Sequence, residues 1–340
     1  MRCGGHVDVL VLGGTQWVGR VVAQTWLAEG HAVTCLARGE SGPVAEGARL
    51  VRADRSAPDA YDQVRDHDWD EVVDVSWQPG FVKGAVAALA DHARHWTYVS
   101  SGNVYAHTDV RGEDESAPLW PPTERDVVDQ ELYGPAKVAC EQAVLAALGG
   151  RALVARFGLV TGPGDHTDRT GYWVARAARA PHTPVLVPDA ADAPTAVVDV
   201  RDAASWLQRC AAAGTGGIFN VVGPVMTFGE WVTLCREVGG HDAEVVTAGE
   251  GWLLAHQVAP WAGEESLPLW VGEPGWEGFS DRDGSRAAAA GLTHRDRRVV
   301  VADVLAWERE RGLDRQRRAG LSPAREAELI EELLRSAAVS

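Results

Sequence analysis

The chain has 340 residues, enough for one large domain or a domain with a smaller lobe. Apolar residues make up 46% and charged residues 24%, the mixture of an ordinary globular chain with a sizeable core. A formal charge of −16 excludes a general binder of polyanions, because phosphate contacts are made by Lys and Arg. In chain order, Val7–Leu12 predicts a buried strand, and Trp17–Glu29 a helix stopped by Gly30. Strands are expected at Ala32–Leu36, Arg49–Arg52 and Glu71–Ser76, then an alanine-rich helix over Gly84–Arg94. Trp96–Ser100 predicts a fifth strand, Glu131–Leu148 a long helix and Leu153–Phe157 a sixth strand. Residues 161–195 read as a long, Gly-, Pro- and Asp-rich connection. After it come a strand over Thr195–Val200, a helix over Asp202–Ala213, a strand over Gly217–Val222 and a helix over Phe228–Glu237. Residues 249–279 look loop-like. The arginines at 309, 311, 315, 317 and 318 read as a solvated linker before a last helix, Pro323–Leu334. That helix carries Ile330, Leu333 and Leu334 on one face, beside Leu329.

Strands alternating with helices predict βαβ units, and near-continuous apolar strands predict a sheet covered on both faces. The expected fold is α/β, a Rossmann-type doubly wound parallel sheet with a smaller C-terminal substrate lobe. The dinucleotide domain is placed at 1–160, completed by about 195–223. The substrate lobe is placed at 161–194 and 224–310, and a linker and helix at 311–340. No run reaches the ~18 apolar residues of a membrane span. The first apolar stretch is too short for a signal-peptide core. Cys3, Cys35, Cys140, Cys210 and Cys235 are odd in number and widely spaced, which fits neither a disulfide framework nor a zinc pattern. His92 and His95 lack further ligands nearby. A cytoplasmic protein is expected, with no metal, no membrane and no nucleic acid, working as a monomer or homodimer on a small molecule.

Gly13-Gly14-Thr15-Gln16-Trp17-Val18-Gly19 joins the first strand to the first helix. Glycines there let the backbone approach a pyrophosphate, and the helix N-terminus offers free N–H groups. Gln16 stands in the place of a middle glycine, where its amide could donate to the pyrophosphate. The acid that reads the ribose of NAD is missing after the second strand, and Arg38 follows instead. A guanidinium suits a 2′-phosphate, so NADP(H) is favoured and NAD(H) stays possible. Asp54 and Arg55, after the third strand, are placed at the adenine edge.

Tyr133 and Lys137 lie four apart, on one face of the long helix. An ammonium beside a phenol eases its proton loss, which makes the tyrosine a usable general acid or base. A serine at the neighbouring strand end can hold the reacting oxygen. Glycine turn, serine and Tyr–x–x–x–Lys in this order resemble the extended short-chain dehydrogenases/reductases, and in particular the NAD-dependent epimerase/dehydratase group. The resemblance runs from residue 7 to about 310. It rests on GGTQWVG (13–19), Asp54, SSGNVY (100–105), YGPAK (133–137), RFGLVTGPG (156–164) and VVDVRDAA (197–204).

The resemblance implies Ser101, rather than Ser100, with Tyr133 and Lys137 as the catalytic set, Lys137 also binding the nicotinamide ribose. It puts Ser76 and Trp77 beside the cofactor and Phe157 near the nicotinamide. Where nucleotide-sugar enzymes carry an Asn for the substrate diphosphate, this chain has Leu159, and Thr161 replaces the following Tyr. Gly102 and Asn103 replace the acidic pair of dehydratases. These departures point to NADP(H)-dependent reduction of a carbonyl or imine by hydride transfer, with Tyr133 as proton donor. The alternatives are a sugar epimerase with retained NAD and a non-catalytic nucleotide-binding regulator. Asn103, Asp165, His166 and Trp173 are expected at the substrate, with Thr167, Asp168 and Arg169 in the same loop. Trp252, Trp261, Trp270 and Trp276 suggest an aromatic wall for a flat or apolar ligand.

Overall fold

Seven strands form one fully parallel sheet, and the computed structural model describes residues 6–272 and 275–337. In chain order they are β1 (Asp8–Leu12), β2 (Ala32–Ala37), β3 (Arg49–Arg52), β4 (Trp69–Asp74), β5 (Ala93–Ser101) and β6 (Ala152–Phe157). The short strands β7 (Leu159–Thr161), β8 (Val185–Pro188), β9 (Pro194–Thr195) and β10 (Val197–Asp199) lie outside the sheet, and β11 (Gly217–Val221) completes it. The spatial order is β11-β6-β5-β4-β1-β2-β3, so the connection direction reverses between β1 and β4. A crevice opens beyond the strand ends at such a switch point. Register there pairs Val9 with Glu71 and Leu12 with Asp74.

Helices cover both faces because the strand side chains are apolar on both. On one side α1 (Trp17–Ala28) packs beside α5 (Val200–Ala213), burying Val22, Trp26, Trp206 and Leu207 against Val9, Val11 and Val33. On the other, α2 (Pro79–Leu89) packs beside α3 (Tyr133–Leu148), burying Val82, Leu89, Cys140 and Val144 against Leu10, Leu12, Trp96 and Tyr98. A separate core forms the C-terminal lobe. It joins Tyr172 and Trp173 of α4 (Tyr172–Arg179) to Trp231 of α6 (Phe228–Gly239), Val304 of α9 (Arg297–Arg311) and Leu329 of α10 (Pro323–Ala337).

Several boundaries differ from the sequence reading. The helix expected at 84–94 begins at Pro79, whose missing N–H costs nothing at a first helical position. Residues 93–95 are drawn into β5 by pairing with Trp69 and Glu71. The connection 161–195 holds α4 and β8. Within 249–279 a short helix, Glu250–Ala255, and a parallel pair, Ala259–Trp261 with Ser266–Pro268, interrupt the loop. The last helix lays Leu329 and Ile330 into the lobe core, while Leu334 is exposed.

The solvated-linker reading of the arginines fails at Arg311, Arg315 and Arg317, while Arg309 and Arg318 are exposed. Glu308, 1% exposed, takes ion pairs from Arg315 and Arg317, and buried Asp168 takes them from Arg311 and Arg315. Cys35, Cys140, Cys210 and Cys235 are free and buried, and Cys3 lies outside the described residues. His92 pairs with Asp68, and His95 is enclosed between Glu71 and the Thr215 carbonyl. Among the described residues, no helix is long and apolar enough to cross a membrane.

Candidate active site

The glycine turn is shaped by three close approaches. Gly13 leaves β1 at φ +103°, a conformation that favours glycine, and a Cβ there would come within 2.6 Å of Val75. A Cβ on Gly14 would run into the Cys35 side chain, and one on Gly19 would sit 2.5 Å from the Gly13 carbonyl oxygen. Burial pushes the Cys35 thiol up to about 12, so it serves as packing behind the turn. The turn therefore sets the N-terminus of α1 hard against β1 and β2, with no acid in the first helical turn to compete for an anion. Gln16 is the residue before the helix; it is exposed and its amide reaches toward the Ser41 hydroxyl at 3.5 Å. The Trp17 indole N–H donates to the Pro163 carbonyl at 2.8 Å, tying the turn to the connection after β7.

Two cavities meet at this turn, and Gln16 and Val75 line both. The first, about 410 Å³, is bordered by Gly13, Thr15, Leu36–Ser41, Asp54 and Ser76–Gln78. Arg38 lies on its rim, exposed and paired with Glu40 at 3.3 Å. Asp54 accepts from the Ser56 backbone N–H at 2.9 Å and its hydroxyl at 2.8 Å, bonds that hold its carboxyl below the usual range. Arg55 lines this cavity beside Asp54. Its guanidinium forks onto buried Asp74 at 2.8 and 2.7 Å, and also donates to the Tyr61 hydroxyl and the Phe81 carbonyl. It belongs to the wall beneath the groove.

The second cavity, about 550 Å³, holds the Ser, Tyr and Lys set. Successive side chains of a strand point to opposite sides, which separates the two serines at the end of β5. The Ser100 hydroxyl is buried and donates to Glu141 at 2.6 Å. The Ser101 hydroxyl lines the cavity, donates to the Asn103 side-chain oxygen at 3.0 Å and accepts from the Asn103 N–H at 3.2 Å. Tyr133, Lys137 and Glu141 then follow one stripe of α3. Lys137, 3% exposed, donates to the Ser76 carbonyl at 3.0 Å and the Val99 carbonyl at 2.6 Å. Its ammonium lies 4.8 Å from the Tyr98 ring centre and 6.0 Å from that of Tyr133. The Trp77 ring packs at 5.4 Å against Tyr133. Among the described residues the Tyr133 hydroxyl has no protein partner, so it is available to a ligand. Glu141 also pairs with Arg156, buried beneath the cleft, which steadies the stripe from behind.

Phe157, Leu159, His166, Thr167 and Arg169 complete one side of the cavity. The expected substrate contacts Asp165 and Trp173 do not line it. Asp165 is buried and accepts from Thr167 and Thr170 within its own loop. Trp173 is 2% exposed in the lobe core, its N–H on the Pro268 carbonyl. The aromatic wall is also narrower than expected. Trp270 is buried, Trp252 stacks on His256, and Trp276 lies against Phe279 at the exposed edge of another hollow. Only Trp261 of the four reaches the catalytic cavity. Phe279, Ser280 and Arg282 also line it and were missed. They come from a segment without periodicity, so only the tertiary fold brings them in.

The turn, the helix end and the two adjoining cavities, one bordered by Arg38 and the other by Tyr133, fit a dinucleotide. Residues 9–222, more than half of the chain, match the model of the NAD dependent epimerase/dehydratase family. No curated protein matches. Among solved structures, a Burkholderia cenocepacia protein superimposes with a TM-score of 0.69 at 20% identity, covering 89% of this chain and 98% of that one. The Bordetella bronchiseptica enzyme WbmG in complex with NAD gives 0.67 at 17% identity, over 92% and 97%. UDP-N-acetylglucosamine 4-epimerase from Bacillus cereus gives 0.63 at 17%, over 92% and 100%. At these identities the likeness is one of fold, and the family match supplies the rest: this chain belongs to the NAD dependent epimerase/dehydratase family.

Proposed function

We propose that the protein is an NADP(H)-dependent oxidoreductase that reduces a carbonyl or imine of a small, aromatic or apolar substrate. The observation that carries this reading is the single cavity in which Ser101 and a free Tyr133 hydroxyl face Leu159, Trp261 and Phe279. Residues Gly13–Gly19, Ser76, Trp77, Lys137 and Phe157 would hold the dinucleotide, which supplies the hydride when bound. The Ser101 hydroxyl turns from Asn103 to the reacting oxygen and fixes its position. Tyr133 delivers the proton to that oxygen. Lys137, pinned by two carbonyls, keeps a positive charge beside the phenol and presents a donor to the ribose. Arg38 supports the choice of NADP(H). Its exposed pair with Glu40 is worth about 0–1 kcal/mol, so a 2′-phosphate can displace it.

A second reading, a sugar epimerase with retained NAD, is supported by the NAD-bound epimerase-type neighbours. Leu159 weighs against it, since an apolar side chain in the cleft cannot bond a diphosphate. Replacing the proton donor separates function from binding. Tyr133→Phe should lower NADPH-dependent turnover of an aryl aldehyde by about a hundredfold or more while nucleotide affinity changes little. Turnover equal to wild type would remove Tyr133 from the mechanism.

A further inference from the structure

The charged groups around the catalytic cavity are unbalanced. The chain carries a formal −16, yet no aspartate or glutamate lines this cavity among the described residues. Its cations are Lys137, Arg156, Arg169 and Arg282. Lys137 is held by carbonyls, Arg156 pairs with Glu141, and Arg282 pairs with Glu113 at 2.6 Å. Arg169 has no carboxylate within ion-pair reach among the described residues. Its one hydrogen bond goes from Nε to the Thr167 hydroxyl at 3.3 Å.

Both neighbouring acids are committed elsewhere. Asp165 accepts two hydrogen bonds from Thr167 and one from Thr170. Asp168 is buried under Arg311, Arg315 and the Arg318 N–H. Burial lowers the affinity of Arg169 for its proton and outweighs the opposing pull of Asp165 and Tyr133, neither of which makes a direct bond to it. A partly buried cation left in this state is stabilised by an incoming anion.

The ring beneath it is held in place at a cost. Trp261 sits at φ +66°, a region bulky residues rarely adopt, and its N–H donates to the Trp270 carbonyl at 2.8 Å. In that conformation the indole lies 5.3 Å under the Arg169 guanidinium and meets Phe279 edge-on at 5.0 Å. A planar cation over an aromatic platform, beside a second ring, matches a planar anion attached to a flat body.

We propose that the substrate carries a carboxylate on an aromatic or similarly flat framework, and that Arg169 and Trp261 read it while the reacting carbon lies at Tyr133. A carboxylate suits one guanidinium through its two-pronged fork, whereas a phosphate dianion calls for more donors than Arg169 alone offers. The inference rests on the reductase reading for what reacts, but not for what binds.

The test is calorimetric binding of benzoate, benzyl alcohol and phenyl phosphate to the 340-residue protein saturated with NADP⁺. Benzoate should bind at least about tenfold more tightly than benzyl alcohol, with Arg169→Gln erasing the difference and Arg169→Lys restoring part of it. Equal affinities in the wild type, or a preference that survives in Arg169→Gln, would overturn the proposal. Tighter binding of phenyl phosphate would overturn the carboxylate and assign a phosphate to the site. Loss of NADP⁺ affinity in Arg169→Gln, with benzoate unaffected, would assign the arginine to the cofactor instead. A parallel assay compares kcat/KM for 4-carboxybenzaldehyde and 4-methylbenzaldehyde, whose ratio should fall about tenfold in Arg169→Gln. If neither aldehyde is reduced, the reductase reading fails on these probes, and the benzoate titration still decides the anion site.

Discussion

Ser100 and Ser101 are adjacent in the chain and do different work. The strand's alternation sends Ser100 to the Glu141 carboxylate and Ser101 to the cleft. Ser101→Ala should lower kcat about tenfold or more with little change in stability, because only a group that meets the reacting oxygen is lost. Ser100→Ala should do the reverse. It removes a buried hydrogen bond to a carboxylate, at a cost of about 1.5–3 kcal/mol in denaturant unfolding, while the folded fraction turns over normally. The opposite pattern would exchange their roles. The gathering of Ser101, Tyr133 and Lys137 in one cavity was legible, because it depends on spacing along one strand end and one helix. The pairing of Arg55 was not, because nothing beside it in sequence reveals Asp74, at the end of β4. Trp173 misled for a similar reason: an indole is equally at home in a core or a ligand wall, and here the lobe core takes it.

At the scale of elements, the loop after β7 is tied down at its start and in its middle. Trp17 holds Pro163, and Asp168 anchors the middle of the loop to the segment after α9. Close packing reinforces this. A Cβ on Gly171 would strike Glu308, and Gly320, at φ +117°, lies directly on Tyr172. Burial would raise the Asp168 pKa, but hydrogen bonds from Arg315 and the Arg318 N–H outweigh it and hold it low. A depressed carboxyl contributes its full stability above the unfolded value of about 3.9, and loses it as pH falls through the folded value. Asp168→Asn should therefore cost about 3–5 kcal/mol at neutral pH, with the gap to wild type closing in thermal melts below about pH 4. A gap independent of pH would show that the charge of Asp168 is not what clamps the loop. The arginine-rich segment could not be read this way from sequence. Charge runs are usually solvated, and its two acidic anchors, Asp168 and Glu308, sit in an earlier loop and in an unforeseen helix.

Over the whole molecule, the parallel sheet covered on both faces was the most legible feature, since alternating apolar runs and helices allow few arrangements. The C-terminal lobe was the least. Its strands are two to four residues long, and its core joins residues from Tyr172 to Ile330, so no local window carries the pattern. The site lies where these two parts meet. The sheet and its flanking helix α3 supply the glycine turn, Ser101, Tyr133 and Lys137, while the lobe and its connections supply Arg169, Trp261 and Phe279. Under the proposed function, that division puts cofactor recognition in the regular part of the fold and substrate recognition in the irregular part. In the reading proposed here, the choice of dinucleotide falls to a few residues at the end of β2, chiefly Arg38. The most direct test of the function proposed here is calorimetric titration of the purified protein with NADPH and NADH. The expected result is reversible binding to an empty site, with NADPH at least about tenfold tighter. Tightly held NAD that resists exchange, or no binding of either nucleotide, would contradict it.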